Sequence, residues 1–553
     1  MEKNNNSGEG ERLQSRLKLL KLKLEEGKIA FSSNIEAEIR ELFSAVRVNE
    51  NGDIDLSTVG SEIRTMALAA EAMDRRDVAK RRASLQDISS NYFDFLECNF
   101  GSIRDDVAES GLNIQQAAFA ISRNGEYASL LSKAVPDILD SLDQFWESAS
   151  ETSEVHIQDI QGTKAVFGGD LFPSYTASIA SSLGLYVETI VLPDPFHRSK
   201  TIIRHTTEER KAFFLVKHAL NSMRYRDLAL ANVENPIIVI NPFRSSVQED
   251  EVDFLRRASE RDAIKHAECI FGRSFDCLDG LLDFVKPLDT AEKLVEKVMS
   301  ADHVLFDVEW RGGIDEQLSR VISGDWGAMG GEHHAGRIVV YQLCLGRMRQ
   351  ATDVLLNSRY LCGVPLIDAP TSWQYFNWKL EYNAERGSNG NKDLHMIKGL
   401  QRAAQTDETW LGKIPHEALI EMRKEGAFGE IRDVLSAGVE GIAVAKPESF
   451  FRSSDQIVDN IRTAFDRHST EVAALKEKSV KFAGHDIGSM LVAGGLDLAS
   501  IATGYGTWGA ASWAVNQFLD VPKIRDIPGK FRSLKNAHIE LRKSPMGLFF
   551  KHM

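Results

Sequence analysis

Asp307 and Glu309 stand two apart in Asp307-Val308-Glu309-Trp310-Arg311, and Glu332-His333-His334 follows downstream. If His303 to Trp310 is a strand, alternation puts both carboxylates on one face, as a metal-dependent nuclease would use them. The set departs from such a site in three ways. Arg311 stands where a Lys is more usual, no earlier acidic partner is identifiable, and adjacent histidines on a strand point to opposite sides. The run G-A-M-G-G-E-H-H-A-G-R around them reads as a glycine-rich loop, and no resident metal or cofactor is expected. Gly504-Tyr505-Gly506-Thr507-Trp508-Gly509 spells G-x-G-x-x-G. A dinucleotide site needs a strand before that motif, a helix after it and an acidic residue about 20 positions on. Here the flanks are helix-like, and Trp508 would crowd a pyrophosphate. No G-x-x-x-x-G-K-[ST], H-E-x-x-H or G-x-S-x-G occurs, so ATPase, zinc-protease and α/β-hydrolase readings lack their usual motifs.

A second pair lies in Arg261-Asp262-Ala263-Ile264-Lys265-His266. These six residues resemble the R-polar-x-x-x-H signature of HEPN ribonucleases, helical proteins common in prokaryotic toxin and defence systems. The resemblance implies Arg261 and His266 as catalytic residues lining a cleft, often across a dimer, and cleavage by the RNA's own 2′-hydroxyl without a metal. Residues five apart on a straight helix diverge by about 140°. Convergence therefore requires a helix start, a kink or a partner chain.

The elements that would hold such residues come next. Leu185 to Phe196 (L-Y-V-E-T-I-V-L-P-D-P-F), Pro236 to Phe243 (P-I-I-V-I-N-P-F) and His303 to Trp310 are rich in β-branched and aromatic residues and read as strands. The stretch from Leu183 to Phe243 is similar to uncharacterised prokaryotic proteins, which implies a bacterial cytosolic protein of accessory or defence type. Val46 to Leu56 alternates around Asn51-Gly52, the signal of a tight hairpin. A calcium loop is excluded there, because no Gly falls at its sixth position and no Glu at its twelfth.

Most of the remainder has helical periodicity. Leu13, Leu17, Leu20 and Leu24 form an amphipathic stripe. Pro136 suits a first helical turn, Thr206 with Glu209 a capping box, and Val247 to Ile270 a long helix. Trp373, Tyr375, Phe376 and Trp378 have few basic neighbours and read as core rather than as a base-stacking platform.

The expected fold is α+β, predominantly α-helical, with long helices around a small central sheet. Its parts are a disordered tail (1–10), a helical N-terminal domain with a hairpin near 46–56 (11–155), a central α/β domain (156–385), a helical domain (393–484) and a glycine-rich apolar terminus (485–553). The linkers are Glu151 to Gly169 and Arg386 to Lys392. From Leu498 to Leu519 no charge occurs. About 20 residues cross a bilayer, so 487–519 is either a closely packed glycine-rich helical pair or a membrane-acting segment.

The net charge of −14 argues against a surface that coats nucleic acid, and no DNA signature is present. Five scattered cysteines fit free, mostly buried thiols in a reducing cytoplasm. The expected function is an intracellular interaction or effector protein without evident enzymatic activity, with a protein partner or self-association. The alternatives are an RNA-cleaving enzyme using Arg261 and His266, and a membrane-acting effector through 487–519.

Overall fold

The computed structural model describes residues 5–29, 41–48, 54–242, 249–310, 312–323, 334–382, 391–445, 447–477, 481–482, 485–486, 537 and 539–551. Its chain divides into two compact units, residues 1–88 with 145–159, and 89–144 with 160–553. These bounds differ from the parts read from composition.

In the first unit, α1 (Asn5–Glu25) packs on α2 (Ser61–Arg82). Leu17 and Leu20 meet Ile63, Ala67 and Ala70 in a small core. Helix α1 begins at Asn5, so part of the expected polar tail is helical. Val48 bridges Ile54 in antiparallel fashion, which flanks the expected hairpin; the Asn51-Gly52 turn lies outside the described residues. The first unit also holds the last turns of a long helix. There Glu151 accepts from Arg75 at 3.0 Å and Arg82 at 2.9 Å, and Thr152 Oγ1 donates to the Ala79 carbonyl at 3.2 Å.

The second unit begins within α3 (Leu85–Ser110), followed by α4 (Ile114–Arg123) and α5 (Gly125–Asp159). Pro136 was expected at a helix start and instead lies inside α5. The central sheet has four strands, β1 (Lys164–Phe167), β2 (Thr189–Pro193), β3 (Ile238–Asn241) and β4 (Val364–Leu366). All pairings are parallel and the spatial order is β3-β2-β1-β4. After β2 come α6 (Pro195–Arg204) and α7 (Glu208–Met223); after β3 comes α8 (Glu249–Phe271). A nine-residue π-helical stretch, Val339–Arg347, runs into α9 (Met348–Tyr360), and β4 then leads to α10 (Pro370–Tyr382).

Burial explains why the strands are apolar at consecutive positions rather than alternating, with Lys164, Thr189 and Asn241 at their ends. Every residue of β1, β2 and β3 is buried, as parallel strands covered on both faces require. Beside the sheet, a large core gathers α8, the π-helical stretch, α9 and α10, with Trp373, Tyr375, Phe376 and Trp378 all inside it. The helix-rich α+β expectation therefore holds.

The third expected strand does not form. His303 ends a short 3₁₀ turn, and the chain to Trp310 is irregular. Val304 and Phe306 satisfy their apolar character by burial in the large core. The backbone N–H of Val308 goes to Thr371 Oγ1 at 3.1 Å and that of Glu309 to Asp307 Oδ1 at 2.9 Å, so side chains take the place of a strand ladder. Conversely, β1 falls in the stretch read as a linker, and β4 carries a proline at its centre. An edge strand tolerates that proline, and β4 is an edge.

Candidate functional site

The strand order reverses between β1 and β4. The chain moves outward from β1 through β2 to β3, then crosses back to β1's other side. In open parallel sheets, ligands bind outside the carboxyl ends of the strands at such a reversal. A cleft of about 500 Å³ lies there, within the range of small-molecule sites.

The loop after β1 forms its floor. Gly168 and Gly169 pass so close to their neighbours that a side chain would collide. A Cβ on Gly168 would lie 2.3 Å from Val354 Cγ2, and Gly169 has φ of +82°. This path delivers Asp170 into the cleft. Ser372 holds the loop, donating from Oγ to the Gly169 carbonyl at 3.2 Å and accepting from Arg347 at 3.5 Å.

Helix α6 contributes Arg198, Lys200 and Thr201. Asp194 caps that helix through the Phe196 N–H at 2.9 Å, accepts from the Tyr92 hydroxyl at 3.3 Å, and is followed by Pro195 in the first helical position. Arg198 is thus fixed in the first turn, where the helix's positive end already favours anions. Gly346 and Arg347 come from the π-helical stretch, and Arg349, Gln350 and Asp353 from α9. Wide π turns recur at functional sites because they re-aim side chains that a regular helix would place elsewhere.

Three arginines, Arg198, Arg347 and Arg349, therefore line the cleft with two carboxylates, Asp170 and Asp353, while Lys200 is paired with Asp143 at 3.1 Å. Burial pushes the Asp353 carboxyl up to about 6, against the pull of Arg349 and Arg198. Burial also raises Asp170, opposed by Arg347 and Arg198 and reinforced by Asp368 at the end of β4. Arg198 feels the converse: burial lowers it while Asp170 and Asp353 support its charge. The cleft holds more cationic than anionic side chains, and burial raises both of its carboxyls above their ordinary range.

Two Ser–His pairs have the spacing of nucleophile and base. Ser199 Oγ and His218 Nε2 are 3.1 Å apart, but both are buried in the core, closed to a substrate. Ser178 Oγ and His416 Nε2 are 2.7 Å apart, and the His416 ring stacks on Tyr225, tying the loop after β1 to the helix that begins at His416.

The residues expected from sequence are elsewhere. Arg261 is exposed on α8, whereas His266 is fully buried. The His266 ring lies against Trp378, Tyr375 and His303, with centroids 5.0, 5.2 and 5.7 Å away. Its Nδ1 is 2.8 Å from the Tyr382 hydroxyl, and burial pushes its pKa down to about 3. Asp262, the polar residue between them, is buried in an ion pair with Lys379 and accepts from Thr352 Oγ1 at 3.0 Å. The chain does not bring Arg261 and His266 into one cleft.

Asp307 is half-buried and tied to the Glu309 N–H, while Glu309 is exposed. His334 caps a helix and its Nε2 is 2.9 Å from the Lys286 carbonyl. Arg311, Glu332, His333, Gly504 to Gly509 and the whole of 487–519 lie outside the described residues. Among the described residues, no three His, Cys, Asp or Glu side chains stand together to hold a metal ion, and no helix is long and apolar enough to cross a membrane. The thiols are free, but Cys98, Cys277 and Cys362 are exposed, against the expectation of mostly buried ones.

Sequence reading missed the cleft. Its local signal was present in F-G-G-D and P-D-P-F-H-R, turn residues with a charge directly after a buried strand. Arg347 and Asp353 carried no local signal at all. No family model, no curated protein and no solved structure matches the chain.

Proposed function

We propose that the protein binds a phosphate-bearing small molecule in the cleft lined by the loop after β1, helix α6, the π-helical stretch and the start of α9. The observation that carries this reading is the convergence there of Arg198, Arg347 and Arg349 from two helices and a π-helical stretch. Guanidinium groups match phosphate oxygens geometrically, and a partly enclosed site weakens competition from water. The two carboxyls offset part of this field, and Arg198, Arg347 and Arg349 outnumber them. The reading makes the chain an interaction protein whose partner includes a small anion. The burial of His266 gives ribonuclease chemistry at the Arg261–His266 pair no support.

Thermal unfolding with pyrophosphate, at low and moderate salt, tests it. Saturating pyrophosphate raises Tm, since a ligand at 100 times its Kd stabilises by about 2.7 kcal/mol. Arg347→Ala weakens binding about tenfold or more, equivalent to roughly 1.4 kcal/mol. No rise in Tm, or a rise that Arg347→Ala leaves intact, would overturn the reading.

A further inference from the structure

The cleft lining mixes cationic donors, Arg198, Arg347 and Arg349, with acceptors. Among the described residues, neither the buried Asp170 Oδ2 nor the buried Gln350 side-chain oxygen in the same cleft has a hydrogen-bond donor. A buried acceptor left without a donor costs about 1–3 kcal/mol, so a complementary ligand is one that supplies the missing protons.

Resting on the anion-binding reading above, we infer that the ligand is a sugar phosphate, free or within a nucleotide, whose phosphate meets the arginines and whose hydroxyls donate to Asp170. The choice among donors follows from charge. A phosphate monoester well above its second pKa, near 6, presents acceptors only and leaves Asp170 unmatched. An ammonium would satisfy Asp170 but must enter a cleft with three arginines and two carboxylates. A hydroxyl donates without adding charge, and a sugar carries several beside its phosphate. Asp170 is held for this role by the loop after β1, where Gly168 and Gly169 leave no room for a side chain and the Ala369 N–H supports one side of the carboxyl. It is the specificity-determining residue, while the arginines supply affinity for any phosphate.

The test compares dianionic ligands on the full chain by calorimetry at about pH 8, well above the second phosphate pKa near 6: ribose 5-phosphate, adenosine monophosphate and methyl phosphate, which then has no hydroxyl. Ribose 5-phosphate or the nucleotide binds at least about tenfold tighter than methyl phosphate, and Asp170→Asn collapses that ratio to below about threefold. A nucleotide tighter than ribose 5-phosphate assigns the sugar to a nucleotide, and equal affinities assign it to a free sugar phosphate. If methyl phosphate binds the unmodified protein as tightly as the sugars, the sugar inference falls and the anion reading stands. If none of the three binds, both fall. The comparison on the unmodified protein does not depend on how Asp170→Asn folds, and the variant's Tm is recorded alongside.

Discussion

Asp353 is pulled in opposite directions by its surroundings. Burial favours its neutral form and lifts its pKa to about 6, while Arg349, whose Nε lies 3.9 Å away, and Arg198 favour its charge. A raised carboxyl stabilises the fold most below its ordinary value near 4, and that contribution is lost as pH rises through about 6. The same proton bears on the ligand, since above pH 6 the cleft gains a negative charge facing an anion. Pyrophosphate affinity should therefore fall more steeply between pH 5.5 and 7.5 in the unmodified protein than in Asp353→Asn. The ligand's own titration is common to both and drops out of the ratio. Identical pH curves would show that Asp353 does not face the anion. At this scale the sequence was informative only where neighbours in the chain are neighbours in space. Asp170 stood in a legible F-G-G-D turn, whereas Arg347 and Arg198 meet it through loops that no local spacing encodes. His266 shows the opposite error, a residue with chemical meaning on paper that the fold uses as core.

Strands β1 and β4 decide where the site lies, and both were illegible. Four residues of K-A-V-F and three of V-P-L are too short for periodicity to declare, and the parallel sheet removes alternation by burying both faces. His303 to Trp310 misled for the reason that β-branched and aromatic composition reports a half-buried surface rather than a backbone ladder. The long helices were legible because their periodicity persists over many turns. Their ends were legible where a cap names them: Thr207 accepts from the Arg210 N–H, one residue along from the expected Thr206. The turn after β1 carries a prediction of its own. Gly169→Ala places a side chain at φ of +82° and 2.9 Å from Ser372 Cβ. A stability loss of at least about 1–2 kcal/mol in chemical denaturation is expected, together with weakened pyrophosphate binding, because the same turn aims Asp170. A loss of stability with unchanged affinity would separate the turn from the site.

Within the second unit, residues far apart in the chain close one apolar cluster. A short helix, α11 (Pro545–Phe550), buries Leu548 and Phe549 against the second unit, with Phe549 5.3 Å from Trp410 and Phe550 5.3 Å from Phe465. The apolar ending of the sequence, G-L-F-F, already had the character of a segment that docks. Phe549→Ala should cost roughly 3–5 kcal/mol, read as a lower denaturation midpoint, because the ring is fully buried. A change below about 1 kcal/mol would mean the helix is not part of the cooperative fold.

The pairing of β1 with β4 also sets a clock. Ala165 and Val364 are register partners, about 200 residues apart in the chain. At the usual 5–20 residues per second, a ribosome needs roughly 10–40 s to supply the second strand after the first. Through that interval β1 can pair with β2 on one side while its other edge stays open, an apolar template for any passing strand. Gly346 to Asp353, the late part of the cleft, are made just before β4, so in a growing chain the completed ligand site and the protection of that edge arrive together.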